Sequence, residues 1–169
     1  MNVGGHRLTN EALRAHFAAM GFSDVASFRA SGNVVFAAQA EPPEDVARRI
    51  ERGLVAALGY EVPTFIRSTE QMQAMAALQP FADEQVAASA GKVQVALLSA
   101  PASKSARAAV LALATDSDRL AFGPSELYWL PSGGLLESPL ELKLIEKLLG
   151  TMTMRTKGTI EQLTAKHFA

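Results

Sequence analysis

Val25-Ala26-Ser27-Phe28-Arg29-Ala30-Ser31-Gly32-Asn33-Val34-Val35-Phe36-Ala37 is the stretch that decides the fold. Its two β-prone runs, 25–30 and 34–37, flank Ser31-Gly32-Asn33, which suits a tight turn, so the segment reads as a β-hairpin. Both flanks are helical. Upstream, Leu13, Phe17 and Met20 recur at i, i+4 and i+7; Thr9 is a good N-cap, Leu8 and Leu13 are spaced as a hydrophobic staple, and Gly21 supplies a left-handed stop. This predicts a helix over 8–20. Downstream, Pro43 suits a first helical position, and Val46, Ile50, Leu54 and Leu58 repeat every four residues up to Gly59. Residues 62–66 then read as a strand. The order α-β-β-α-β wants only a leading strand to become β-α-β-β-α-β, the split βαβ or ferredoxin-like unit.

Further along, Ser68-x-x-Gln71 is a capping box that opens a short helix with Met72, Met75 and Leu78 turned inward. The polar, Ala-rich stretch 81–91 reads as a linker. A second unit begins at Lys92. Val93, Val95 and Leu97 alternate in a strand, and Ser103 caps a helix reaching Leu113. Segments 119–122 and 127–130 flank Gly123-Pro124-Ser125-Glu126 as another hairpin. After the loop Pro131-Ser132-Gly133-Gly134, a helix starting at Pro139 carries Leu140, Leu144, Ile145 and Leu148 to Gly150, and a last helix covers 159–168. The expected architecture is α+β throughout. A ferredoxin-like domain without its first strand occupies 1–80, the linker 81–91, and a smaller domain of βαββαα order 92–169.

Bulk properties exclude several classes. The chain has 169 residues, 49% hydrophobic and 20% charged, enough apolar content for a sizeable core. A formal net charge of -1 gives no global attraction to nucleic acid or an anionic membrane. Cys is absent, so disulfides and thiolate chemistry are out, which fits a reducing cytoplasm. No apolar run approaches the roughly 18 residues of a membrane span, and no signal pattern opens the chain. The three histidines, His6, His16 and His167, show no metal-ligand spacing. Neither a P-loop, nor G-x-G-x-x-G, nor a G-x-S-x-G elbow occurs. No metal and no cofactor is expected.

Three stretches together resemble a known family: Asn2-Val3-Gly4-Gly5, Ala30-Ser31-Gly32-Asn33-Val34-Val35-Phe36, and Thr153-Met154-Arg155-Thr156-Lys157-Gly158-Thr159. In order and spacing they are similar to bacterial proteins carrying domain of unknown function 1697 (DUF1697). The resemblance implies the ferredoxin-like first domain and a smaller α+β second domain, and it implies no established activity. Family members usually open on an apolar strand ending in Arg-Gly, and Met1 stands where they have Ile or Val. The resemblance therefore implies a start upstream of Met1, with about eight further residues, a usual strand length. Where the family often has Arg-Asn, this chain has Arg155-Thr156.

In a split βαβ unit of spatial order 4-1-3-2, strands one and three are neighbours, which would place 2–5 beside 31–33. Gly4 and Gly5 would leave backbone N–H groups uncovered just before a helix N-terminus, where an anion is favoured. Arg29 would add a charge-assisted contact. Asn2, Gly4, Gly5, Arg29, Ser31 and Asn33 are thus a candidate anion-binding edge. The plainer alternative is that the glycines satisfy turn dihedrals and Asn33 holds a left-handed position. Arg155, with Thr153 and Thr159, is a second candidate for a phosphate or carboxylate. Its alternative is that Thr156 or Thr159 caps the last helix while Arg155 bonds a carbonyl or a Glu. Base stacking on the sheet in the manner of RNA-binding relatives of the fold is disfavoured, since the third strand offers only Phe36.

Three functions remain open at this level. They are binding of a small anionic ligand (a nucleotide or nucleic-acid phosphate), a protein-interaction module without a small ligand, and a hydrolase or transferase using the same edge, for which no base or nucleophile is visible. The oligomeric state is not legible.

Overall fold

A computed structural model describes residues 2–3, 6–134 and 138–168. The chain is of mixed α+β class and divides into two compact units, 1–67 and 68–169.

The first unit contains β1 (Asn2–Val3), β2 (His6–Arg7), α1 (Asn10–Ala19), β3 (Ser23–Phe28), β4 (Asn33–Ala37) and α2 (Pro43–Leu58). β1 pairs with β2 and β3 with β4, both antiparallel. Local chemistry sets the helix ends. Thr9 Oγ1 accepts from the Ala12 amide at 3.1 Å, satisfying one of the orphan donors of the first turn. Gly21 follows α1 at φ +84 and Gly59 caps α2 at φ +80. One face of each helix is buried with the hairpin in a cluster of Leu8, Leu13, Phe17, Phe22, Val46, Ile50, Leu54 and Val62. The expected strand at 62–66 requires correction: among the described residues it joins no ladder. The Thr64 amide donates instead to the Glu51 carboxylate at 2.9 Å. A β-prone sequence becomes a strand only beside a partner, and here a side chain from α2 takes the partner's place.

The second unit contains α3 (Thr69–Ala77), α4 (Asp83–Ala88), β5 (Gln94–Leu98), α5 (Lys104–Leu111), β6 (Asp118–Phe122), β7 (Glu126–Pro131), α6 (Leu142–Leu149), β8 (Met152–Thr156) and α7 (Lys157–His167). Its four strands form one antiparallel sheet in the order β6-β7-β5-β8. In chain order that is 4-1-3-2 read from the β8 edge, so β5 to β8 with α5 and α6 complete a split βαβ unit. The βαββαα order is therefore corrected to βαββαβα. β8 adds the missing strand: Met152 and Met154 alternate onto the apolar cluster of Ala96, Leu98, Leu127, Trp129 and Ile145, as a strand requires.

The stretch 81–91, expected as a linker, holds α4. α3, expected with the first domain, lies in the second unit, tied to α7. Thr164 Oγ1 donates to the Met72 carbonyl at 3.4 Å, Lys157 Nζ to the Ala76 carbonyl at 2.8 Å, and Gln73 Nε2 to the Phe168 carbonyl at 2.9 Å. The Ser68 capping box closes both ways, at 2.9 and 3.2 Å. No helix among the described residues is long and apolar enough to cross a membrane.

Candidate functional site

The β3–β4 turn is built from four residues, Arg29 to Gly32, closed by pairing of Phe28 with Asn33. Two of the four are left-handed: Gly32 at φ +75 and Arg29 at φ +58. Glycine adopts this conformation freely, whereas Arg pays about 1–2 kcal/mol for it through Cβ sterics. Asn33, the residue expected to be left-handed, is instead the first residue of β4, with strand geometry. Its amide Nδ2 donates to Ser31 Oγ at 2.9 Å and to the Phe28 carbonyl at 3.3 Å, bracing the turn from inside.

A second element holds the turn from outside. Asn10 Nδ2, at the first position of α1, donates to the Arg29 carbonyl at 2.8 Å. One turn further on, the Arg14 guanidinium donates to Ser27 Oγ at 2.7 Å. The N-terminal end of α1 is thereby fixed against the hairpin. Arg29 is exposed, its guanidinium 5.6 Å from the centroid of the Phe28 ring. Glu11 lies in the same first helical turn and already supplies negative charge to the positive end of the helix dipole. Just before α1, the His6 ring stacks on Tyr60 with centroids 4.2 Å apart and planes at 12°.

Of the expected anion edge, Arg29, Ser31 and Asn33 thus share one turn. Gly4 and Gly5 lie outside the described residues; of Asn2 the backbone is described, paired with Arg7. Asn10 and Arg14 join the cluster beyond the expected edge; an amide at a helix start is a recognisable side-chain donor. Arg155 lies in the other unit, on β8 opposite Val95. Its guanidinium donates to Thr153 Oγ1 at 2.9 Å and to the Met154 carbonyl at 2.7 Å, and burial lowers its pKa from the usual value. Thr156 caps α7, accepting from the Thr159 amide at 3.2 Å. Among the described residues no group of three or more His, Asp or Glu could hold a metal ion.

The two units define a mixed α+β protein, and the first unit carries a strained hairpin turn docked on a helix start. The chain belongs to a family described as protein of unknown function (DUF1697), whose model matches residues 1–128. That span includes the Arg29 turn and ends before Arg155. No curated protein matches the sequence. Among solved structures, that of conserved bacterial protein SP0830 from Streptococcus pneumoniae is similar, with a TM-score of 0.76 and 18% identity over 98% of this chain and 92% of that one. At that identity the likeness establishes the fold.

Proposed function

We propose that the Arg29–Ser31–Asn33 turn binds a small anionic ligand, a nucleotide or nucleic-acid phosphate. The observation that carries this reading is Arg29 itself, a non-glycine residue held left-handed by Asn10 with its side chain exposed. Glycine would make the same turn without the steric cost, so a structural role alone does not call for arginine. Backbone strain of this kind concentrates at ligand sites. A guanidinium suits bidentate contact with phosphate, and Ser31 places a hydroxyl, a group that can donate to an anion, on the same turn, where the Asn33 amide braces it. In this reading the chain works as a binding protein in the cytoplasm, consistent with its lack of cysteine.

A thermal-shift series with inorganic phosphate, nucleotides and short oligonucleotides tests it. A ligand at 100 times its Kd stabilises by about 2.7 kcal/mol, or roughly 5–10 °C for a chain of this size. Arg29→Ala is expected to abolish that shift. A shift retained in Arg29→Ala, or none with any anion, overturns the reading; a mass that rises with protein concentration in the absence of any shift would favour the interaction module.

A further inference from the structure

Asp118, the first residue of β6, is buried to 1% exposure. Both hydrogen bonds donated to its side chain land on one oxygen: Trp129 Nε1 reaches Oδ1 at 2.7 Å and Ser138 Oγ reaches it at 2.6 Å. Among the described residues no donor reaches Oδ2. Asp118 also lines a cavity of about 150 Å³ together with Leu113, Thr115, Pro139, Leu140 and Glu141. A carboxylate taken out of water is costly unless a cation or a full set of donors meets it. Two neutral donors on one oxygen meet that need in part, and no ion pair among the described residues includes Asp118 or Glu141.

We propose that this cavity in the second unit is a binding site for a primary alkylammonium group, with Asp118 Oδ2 as its charge partner. The lining divides in the way such a ligand requires. Leu113, Pro139 and Leu140 form an apolar wall for a short methylene stem, while Asp118 supplies the acceptor at the buried end. Exposed Glu141, at the start of α6, adds a second negative charge that draws cations in. A cavity of this volume takes a guest of roughly benzene size, which an alkylammonium of four or five carbons matches. The acceptor is fixed in advance. Trp129 and Ser138 hold the carboxylate, and Ser138 Oγ is itself placed by the Leu140 amide, which donates to it at 3.0 Å. Thr115 Oγ1 accepts from the Ser117 and Asp118 amides at 3.2 and 3.0 Å, holding the turn that leads into β6.

The test is titration of the intact chain with n-butylammonium and with 1-butanol, a neutral probe of the same size, followed through the methyl resonances of Leu113 and Leu140. Saturable shifts are expected with butylammonium, at least tenfold weaker with butanol. Nα-acetyl-lysine N-methylamide forms a third arm: binding tighter than butylammonium assigns the ammonium to a lysine side chain, weaker binding to a free amine. Asp118→Asn should remove binding. Because that residue is buried, Glu141→Gln at the exposed mouth serves as the variant that keeps the fold, with an expected several-fold loss of affinity. Equal binding of butanol and butylammonium, or no methyl shift with either, overturns the proposal.

Discussion

Asn10 and Arg29, nineteen residues apart, are joined by a 2.8 Å hydrogen bond from the Asn10 amide to the Arg29 carbonyl. This bond ties a helix start to a left-handed hairpin residue. Asn10→Ala should cost about 0.5–1.5 kcal/mol, the usual net worth of such a bond. Arg29→Gly should move stability the other way by up to about 1 kcal/mol, because the steric cost at φ +58 disappears. Thermal melts of both variants check the pair of signs; destabilisation by Arg29→Gly would show that the side chain itself holds the turn.

Tyr128 predicts an alkaline signature. Burial, together with the nearby Glu126 carboxylate, pushes its hydroxyl from 10.0 up to about 12, and that hydroxyl has no hydrogen-bond partner among the described residues. The unfolded chain releases this proton first, so the folded state binds more protons between these two values. Stability contributed by the neutral phenol is complete below pH 10 and is lost as pH rises through about 12, by up to about 2–3 kcal/mol. Tyr128→Phe should flatten that loss while leaving stability near neutrality unchanged or slightly higher. Urea midpoints of both proteins at pH 8 and pH 11 measure the difference.

Two glycines should respond unequally to alanine. A Cβ on Gly91 would stand 2.5 Å from the Pro131 carbonyl oxygen and 2.7 Å from that of Gly133. Backbone atoms cannot step aside, so Gly91→Ala should cost about 1–3 kcal/mol. On Gly53, inside α2, a Cβ meets the Met20 side chain. A thioether chain re-packs readily, and replacing a mid-helix glycine gains about 0.5–1 kcal/mol. Gly53→Ala should therefore lie near neutral. Denaturation midpoints that rank the two variants the other way would contradict this reading of the contacts.

What was legible in the sequence is what neighbouring residues decide. Thr9, Pro43 and the Ser68–Gln71 pair mark helix starts through local hydrogen bonds or ring geometry, and the four-residue repeat of α2 buries Val46, Ile50 and Leu54. Pairing was less legible. Residues 62–66 have the composition of a strand, but composition does not name a partner. In β8, Thr153 and Arg155 give one face a polar cast that hid the alternation of Met152 and Met154. α4 has six residues and no buried face, hence no periodicity to find. At the candidate turn, Ser31, Gly32 and Asn33 advertised a reversal, and Gly32 is left-handed, yet the second left-handed residue is Arg29 rather than Asn33. Nothing local favours arginine there; the bond from Asn10 is a long-range contact, invisible to any window of sequence.

Thr156 is at once the last residue of β8, opposite Gln94, and the N-cap of α7. The next amide, Lys157 N–H, donates to the Val93 carbonyl at 2.8 Å. Strand and helix thus share a residue, with no loop between them to absorb error. A slip of β8 by one position would turn the methionines outward and also break the bond from the first amide of α7 to the Val93 carbonyl. The helix start therefore proofreads the strand alignment, and the fourth strand and the last helix should form or melt as a single step.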